Sequence, residues 1–259
     1  MTGATQPAKR PTTGRWLEGR VLENRHWTAT LFSLRVEAPR LPFEAGQFVR
    51  IALDIGNERI ARPFSFVNAP GDDVLEFYGV IVPEGPLSPQ LARLGPGDRL
   101  YVAPNPSGFL VLSEVPDAET LWLMSTGTGI APFLSILASE SLWQRYANAV
   151  LVHAVRRAQE LTYRPRLDAL RSRMGERLRL VSIVSREDVP GALAGRIPAA
   201  ISDGRLAAAA GRALSVDGSQ VMLCGNPDMV RDATEALKQL GMHRHRRRSP
   251  GQITVENFW

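Results

Sequence analysis

Cysteine, lysine and long apolar runs are all scarce in this sequence of 259 residues. The single cysteine, Cys224, excludes a disulfide framework and an iron–sulfur cluster held by the protein's own thiolates, which needs several of them. No apolar run is long enough to span a bilayer, and the N-terminus lacks the apolar core of a secretion signal. We therefore expect a cytoplasmic protein with no membrane partner.

Arginine supplies the positive charge of the chain. The formal net charge is +5, although Lys9 and Lys238 are the only lysines. Such mild basicity favours phosphate-bearing ligands or an acidic protein partner. No helical stretch combines a row of basic residues with aromatic side chains that could stack on bases, so we expect no nucleic-acid partner. His26 and His153 lack metal-ligand partners at a useful spacing, so we predict no metal site. We also predict a monomer.

The hydrophobic pattern changes once along the chain, which predicts two domains. Residues 1–14 are polar, aperiodic and rich in Thr and Pro, so we predict a disordered tail. Over residues 15–115, short strand-like runs broken by Gly and Pro turns predict an antiparallel β-barrel. Over residues 116–259, apolar strands alternate with helical patterns, which predicts an α/β domain with a doubly wound parallel sheet. Its predicted elements include an Ala-rich helix over residues 205–214, a strand within SQVMLCGNP (residues 219–227) and a helix over residues 227–240.

The stretch RIARPFSFVNAP (residues 59–70) alternates like a strand, with Arg62 and Phe64 on one face and Pro63 and Ser65 on the other. An arginine can bind a pyrophosphate through two N–H groups, and an aromatic ring can stack on a flat heterocycle. The small hydroxyl of Ser65 leaves room for such a ring. These features indicate a flavin site, although an edge strand with a solvated arginine has the same pattern.

A phosphate site is indicated by PEGPLSPQLARL (residues 83–94), which predicts a loop running into a short helix. Ser88 would cap this helix, and Pro89 would be its first residue. Because a helix N-terminus gathers free amide groups, it can bind phosphate. The same helix could also close one mouth of the barrel.

In a doubly wound sheet, ligands bind beyond the carboxyl ends of the strands. The first such end is the glycine-rich turn STGTGIAP (residues 125–132), which can approach a pyrophosphate closely. Later ends carry arginines suited to a ribose 2′-phosphate, which favours NADP, whereas Glu187 and Asp188 keep NAD open. These arginines are Arg156, Arg186 and Arg196. At the last such end, Cys224 could contact a nicotinamide ring or be an ordinary buried cysteine.

Together these motifs resemble the ferredoxin–NADP(+) reductase family, in particular its bacterial ferredoxin/flavodoxin reductases that end in tryptophan. RPFSFVNAP matches the family's flavin motif and GTGIAPFLSIL its pyridine-nucleotide turn. CGNPDMV matches its cysteine–glycine motif and VENFW its aromatic end. The resemblance runs from about residue 15 to residue 259. It implies a barrel that holds FAD, followed by an NADP-binding α/β domain.

The resemblance also assigns individual residues. Those implied to contact FAD are Arg62, Pro63, Phe64, Ser65, Tyr78, Gly79, Val80, Ile81, Pro86, Leu87, Ser88, Thr128, Phe258 and Trp259. Those implied to contact NADP are Val155, Arg156, Ser185, Arg186, Arg196, Asn226, Pro227 and Asp228. Four residues are implied to surround the hydride transfer: Ser65, Cys224, Glu256 and Phe258. Glu256 would pass protons, and Phe258, where related enzymes carry tyrosine, would move aside for the nicotinamide.

The implied activity is FAD-dependent exchange of electrons between NADP(H), as hydride, and ferredoxin or flavodoxin, one electron at a time. The basic run His243–Arg248 is predicted to dock that acidic carrier through Arg244–Arg248, although such a run is also typical of a solvated loop. Two other functions stay open. One is the reductase component of an oxygenase system with a separate iron–sulfur protein, and the other is a non-catalytic, nucleotide-binding electron-transfer subunit.

Overall fold

The computed structural model describes residues 15–257 and contains two six-stranded sheets, one after the other along the chain. The predicted tail of residues 1–14 and the two terminal aromatics, Phe258 and Trp259, lie outside the described residues. Within the described residues, no helix is long and apolar enough to cross a membrane.

The first sheet is antiparallel, with the strand order β4-β3-β6-β1-β2-β5, and it curls until the end of β4 meets β5 at a bridge between Phe66 and Phe77. The predicted barrel is thus confirmed. Its interior is packed with alternate residues of each strand, and Phe43 stacks on Phe66 at a centroid distance of 3.9 Å. The elements are β1 Leu17–His26, β2 Leu31–Glu37, β3 Phe48–Ile55, β4 Glu58–Ser65, β5 Val74–Val80, α1 Ser88–Leu91 and β6 Arg99–Val102.

The second sheet is parallel throughout, with the strand order β10-β9-β8-β7-β11-β12, and it confirms the predicted doubly wound domain. Its strands are β7 Thr120–Thr126, β8 Asn148–Val155, β9 Leu178–Val184, β10 Leu193–Ala194, β11 Ser219–Gly225 and β12 Ile253–Asn257. Its helices are α2 Ala131–Ala138, α3 Glu140–Arg145, α4 Arg164–Met174, α5 Ile197–Ser202, α6 Arg205–Ala210 and α7 Pro227–Gln239. The chain runs outward from β7 to β10 and then returns to the other side of β7 as β11. The topological switch point, where such sheets bind ligands, therefore lies between β7 and β11.

Two local expectations are corrected. Ser88 is the first residue of α1 and does not cap it, because its hydroxyl accepts a hydrogen bond from the Val82 N–H at 2.9 Å. The Ala-rich helix predicted over residues 205–214 ends at Ala210, since Gly211 adopts a left-handed conformation with φ 60°. The proline-rich connection between the two sheets packs against the protein core, with Leu110 and Val115 buried. The predicted division after residue 115 lies within that connection and stays a prediction.

The two sheets are held together by hydrogen bonds and by a shared apolar cluster. The Ser135 hydroxyl on α2 donates to the Asn68 carbonyl at 2.6 Å, and the Thr162 hydroxyl donates to the Tyr78 hydroxyl at 3.0 Å. The Tyr78 ring meets the Tyr163 ring edge to face at 5.3 Å. Barrel residues such as Tyr78 share this cluster with Cys224 of β11. The cluster therefore fixes the barrel against the parallel sheet.

Candidate functional site

The two glycine motifs of the second sheet pack against each other at the switch point. A Cβ placed on Gly129 would lie only 2.6 Å from the carbonyl oxygen of Cys224, so no side chain fits between the turns. On the other strand, Gly225 has φ 136°, and a Cβ there would lie 2.2 Å from the Thr126 hydroxyl. That hydroxyl accepts a hydrogen bond from the Asn226 N–H at 2.9 Å. The turns after β7 and β11 thus form one compact unit with half-buried Thr128 at its surface.

A series of contacts leads from this unit to the barrel. Cys224 of β11 is in register with Glu256 of β12. A Cβ on Gly108 would lie 3.2 Å from the Glu256 Oε1 atom and 3.0 Å from the Phe48 Cδ1 atom. Phe48, on β3, is in turn the register partner of Ser65 at the end of β4. The structure therefore brings Ser65, Glu256 and Cys224 into one junction, which we call the redox junction.

The redox junction contains two buried polar atoms without a hydrogen-bond partner among residues 15–257, Oγ of Ser65 and Oε2 of Glu256. Burial raises the pKa of Glu256 to about 7. Burial, and secondarily the charge of Glu256, raises the pKa of the Cys224 thiol, so the thiol stays protonated. Unsatisfied buried polar groups are rare in folded proteins. These two fit a planar ligand ring that carries hydrogen-bonding atoms, such as a flavin.

The strand next to the redox junction carries the predicted pyrophosphate residues. Arg62 and Pro63 are exposed on β4, and Phe64 is half-buried. One guanidinium N–H of Arg62 donates to the Ala61 carbonyl at 2.8 Å. A Cβ on Gly79 would lie 2.9 Å from Phe64 Cε1, so this glycine keeps the space for the aromatic ring. The arrangement offers a cation and an aromatic face to a nucleotide.

The remaining residues implied to contact FAD differ in how exposed their side chains are. Tyr78 is only 3% exposed and its hydroxyl is engaged with Thr162, so its side chain stabilises the contact between the sheets. Leu87 is buried in the barrel, and the Ser88 hydroxyl is occupied by the Val82 N–H. The others lie at the surface or half-buried around β5 and the loop after it: Val80, Ile81 and Pro86.

The arginines predicted to bind a 2′-phosphate all follow the carboxyl ends of adjacent parallel strands. Arg156 follows β8 and Arg186 follows β9, and the Arg186 N–H donates to the Arg156 carbonyl at 3.0 Å. Arg196 follows β10 and precedes α5. All three side chains are exposed. The edge of the sheet beyond β8, β9 and β10 is therefore positively charged.

Of the two acidic residues that kept NAD open, Glu187 already has partners within the protein. The Glu187 carboxylate accepts from the Ala158 N–H and forms an ion pair with Arg157 at 3.8 Å. Asp188 is exposed one residue further on. This arrangement favours the phosphorylated nucleotide, because the nearest carboxylate is already neutralised.

Beside the Gly-Thr-Gly turn lies a residue whose role sequence reasoning missed, His153. It is 4% exposed, and its Nε2 atom lies 3.1 Å from the Gly127 carbonyl oxygen. Burial lowers the pKa of His153 to about 4, so the ring is neutral at physiological pH and its Nε2–H donates to the carbonyl. The available signal was a histidine within the otherwise apolar run AVLVHAV (residues 149–155).

The turn after β11 is also built by its own side chains. The Asn226 amide oxygen accepts from the Asp228 N–H at 2.9 Å and caps α7, which begins with Pro227. The Asp228 carboxylate forms an ion pair with Arg231 at 2.6 Å. All of the residues predicted here to face NADP are exposed, but Asn226 and Asp228 already have structural partners.

The comparisons with known proteins agree with this geometry. A model described as "Oxidoreductase NAD-binding domain" matches residues 123–235. A flavodoxin/ferredoxin–NADP reductase of Shigella flexneri is 50% identical over 94% of this chain and 99% of its own. That of Escherichia coli K12 is 49% identical over the same shares. The chain belongs to the flavodoxin/ferredoxin–NADP reductase family.

A solved structure supports the family assignment at the level of the whole fold. The ferredoxin NADP+ reductase of Neisseria gonorrhoeae, with bound FAD and NADP, has a TM-score of 0.90 and 35% sequence identity to this reductase. The match covers 95% of this chain and 99% of that one. Both sheets therefore recur in a relative of almost the same length.

The basic run of this reductase forms a hairpin just before β12. Arg246 pairs with Ser249 across the hairpin, and Arg244 lies beside Ile253 of β12. Arg247 forms an ion pair with Glu114, with 2.8 Å between Nε and Oε2. Because the basic hairpin leads into β12, which carries Glu256, it is connected directly to the strand that reaches the redox junction. In the described part of the chain, no group of three or more His, Cys, Asp or Glu side chains could hold a metal ion.

Proposed function

We propose that this protein is a FAD-dependent oxidoreductase that exchanges electrons between NADP(H) and ferredoxin or flavodoxin. The observation that carries the proposal is the redox junction, where Glu256 lies beside Cys224 and where Ser65 and Glu256 each have a buried polar atom without a hydrogen-bond partner among residues 15–257. The relatives named for this activity, and the neighbour with bound FAD and NADP, support FAD and NADP as the ligands of this junction.

FAD fits the residues on the barrel side of the junction. When bound, it can accept a hydride from a nicotinamide and pass the electrons on singly. Arg62 would bind its pyrophosphate, and Phe64 would pack against its flat surface. The Ser65 hydroxyl would donate to the ring, which gives a partner to an atom that has none in the described residues.

Glu256 is suited to hold a proton at the redox junction. Its pKa of about 7 means that the Oε2 atom can carry or release a proton near neutral pH. The Cys224 thiol is small, neutral and 0% exposed, so it can form one wall for the nicotinamide without adding charge. Burial of both groups keeps water away from the reacting atoms.

NADP is the preferred nucleotide in this proposal. The exposed guanidinium groups of Arg156, Arg186 and Arg196 would bind the 2′-phosphate, while Ser185 and Val155 lie beside them at the ends of β9 and β8. Replacing Arg186 with Ala should raise the KM for NADPH about tenfold or more and leave that for NADH nearly unchanged. Lys at the same position should restore part of the loss, since a point charge keeps the attraction but not the bidentate contact.

Stopped-flow absorbance tests the whole reaction. Purified protein loaded with FAD would be mixed with NADPH or NADH, and then reoxidised with purified ferredoxin or flavodoxin. We expect fast bleaching of the yellow chromophore by NADPH and reoxidation by at least one carrier. A chain that takes up no FAD would exclude the proposal, and bleaching without reoxidation by either carrier would favour an oxygenase-type reductase.

The carrier is proposed to dock on the basic hairpin, Arg244–Arg248. Arg244, Arg246 and Arg248 are exposed, and opposite charge steers such encounters. The double variant Arg244→Glu and Arg246→Glu should slow reduction of ferredoxin or flavodoxin in a salt-dependent way and leave a small dye acceptor unaffected. Reversal of Arg171 and Arg173 on α4, with the same change in net charge, is the control. An equal loss with carrier and dye would contradict docking at the hairpin.

We further propose that the protein acts as a monomer in the cytoplasm. Light scattering on the FAD-loaded protein measures the first directly, and fractionation of cells measures the second. A stable dimer at working concentration would overturn the first of these proposals.

A further inference from the structure

One aromatic side chain stands out on the surface of the described residues. Phe109 is 71% exposed, whereas the other exposed large apolar residues are 40 to 42% exposed. Those others are Leu22, Val82 and Leu240. An exposed aromatic of this size is a typical anchor of a protein interface.

The backbone that carries Phe109 is held firmly. Two residues earlier, Ser107 exchanges two backbone hydrogen bonds of 2.9 Å with Phe48. Gly108 is wedged against Phe48 and Glu256, and Leu110 is 1% exposed. The ring is therefore presented by a fixed loop, and a partner that covers it would lose little conformational entropy in doing so.

The surroundings of Phe109 are basic. The Arg247 guanidinium carbon lies 5.7 Å from the centroid of the ring, and the same guanidinium is tied to Glu114. The neighbouring Arg246 and Arg248 are exposed. An apolar ring within a rim of arginines fits an acidic partner, whereas a second copy of this chain would bring like charges together.

Phe109 also lies near the edge of the redox junction, because a Cβ on the preceding residue, Gly108, would lie 3.2 Å from the Glu256 Oε1 atom. We propose that Phe109 is the apolar anchor on which this reductase docks an acidic one-electron carrier protein, with the Arg247–Glu114 pair fixing the adjacent basic rim. The inference rests on the proposed function, since it names the contact that the carrier makes.

The test uses the FAD-loaded full chain and compares Phe109→Ala and Phe109→Leu with the control Leu22→Ala. NADPH-driven reduction of a purified acidic ferredoxin, a purified flavodoxin and ferricyanide would be measured at about 0.05 M and about 0.5 M salt. For Phe109→Ala we expect the KM for the carrier to rise about tenfold. Because apolar burial is not screened, the rise should persist at high salt, whereas the loss in Arg246→Glu should shrink.

The Phe109 variants distinguish a carrier anchor from the other roles that this ring could have. Phe109→Leu should lose less than Phe109→Ala, and ferricyanide reduction and FAD content should stay at the wild-type level in both. A wild-type KM for the carrier in Phe109→Ala would overturn the inference, and so would an equal loss with ferricyanide, which would place the ring in the cofactor site. If the unaltered protein binds FAD but reduces neither carrier, the proposed function fails and the anchor fails with it.

Discussion

Replacing Glu256 with Gln removes one buried titrating group while keeping almost the same shape. Burial raises the pKa of this carboxyl from 4.5 to about 7, so the folded protein holds the proton more tightly than the unfolded chain. Between these two pH values the unfolded state loses the proton first, and the stability of the native protein therefore falls as pH rises. At about 1.4 kcal/mol per pKa unit, the loss approaches about 3 kcal/mol above pH 7, reduced by whatever solvent still reaches the carboxyl.

A second buried group opposes this trend and would hide it in the unaltered protein. The pKa of His153 is lowered to about 4, so the folded state binds its proton less tightly than the unfolded chain. That group makes the native protein more stable as pH rises from about 4 to about 6.5. The two slopes have opposite sign over nearly the same range. Only the difference between Glu256→Gln and the unaltered protein isolates the carboxyl.

The assay is thermal unfolding of the FAD-loaded proteins at about pH 5 and about pH 8, together with the pH profile of dye reduction by NADPH. The Tm of Glu256→Gln minus the Tm of the unaltered protein should be larger at the higher pH than at the lower pH, by as much as about 6 °C. Its rate profile should lack an inflection near pH 7 that the unaltered protein shows. Glu235→Gln, on the exposed side of α7, is the matched control.

If the difference in Tm between Glu256→Gln and the unaltered protein is the same at both pH values, and the inflection near pH 7 persists in Glu256→Gln, then Glu256 is not the buried group that holds the proton. Either the carboxyl would then be hydrated in the folded protein, or another group would hold the proton. A change in Tm difference without a change in the rate profile would keep the burial argument and remove the proton role.

Substitutions at Gly129, Gly127 and His153 test the glycine turn at the switch point. Gly129→Ala forces the Cys224 backbone to move, so it should cost about 1–3 kcal/mol of stability and raise the KM for NADPH. Gly127→Ala is the control: its Cβ meets nothing within 4 Å, so it should cost only about 1 kcal/mol, because of the positive φ at this position. Equal effects in calorimetry would contradict the close packing. His153→Leu leaves the Gly127 carbonyl without its donor, at about 1–3 kcal/mol, and should raise the KM for NADPH more than it lowers kcat. His153→Gln, which can donate again, should recover NADPH binding, and no recovery would assign His153 to packing alone.

Much of the fold followed from local sequence pattern. The helix predicted over residues 227–240 is α7, Pro227–Gln239, because an Asn cap, a proline in the first turn and an apolar face all agree there. The strand within SQVMLCGNP is β11, Ser219–Gly225, since a near-continuous apolar run is typical of a parallel strand covered on both faces. Such signals involve residues a few positions apart, so one sequence suffices to find them.

Local pattern did not reveal side-chain partners that lie elsewhere in the fold. Ser88 was predicted as a cap, but its hydroxyl accepts from the Val82 N–H across the preceding loop. The assignment of Tyr78 to FAD stays a prediction, and the structure adds that Thr162, far along the chain, donates to its hydroxyl. The hydrogen bond of His153 was missed because its partner is also distant in sequence. Its acceptor, Gly127, belongs to another strand's turn.

The sequence by itself determined the order of the strands and helices, the positions of the glycine turns and the chemical types available at the strand ends. Only the tertiary structure decided that the Ser65 hydroxyl and the Glu256 carboxyl are buried at their junction and that Phe109 is exposed beside it. The physical reason is that burial and desolvation are set by every neighbour in space. Burial raises the pKa of Glu256, and the surroundings that bury it include Gly108, which is far away in the sequence.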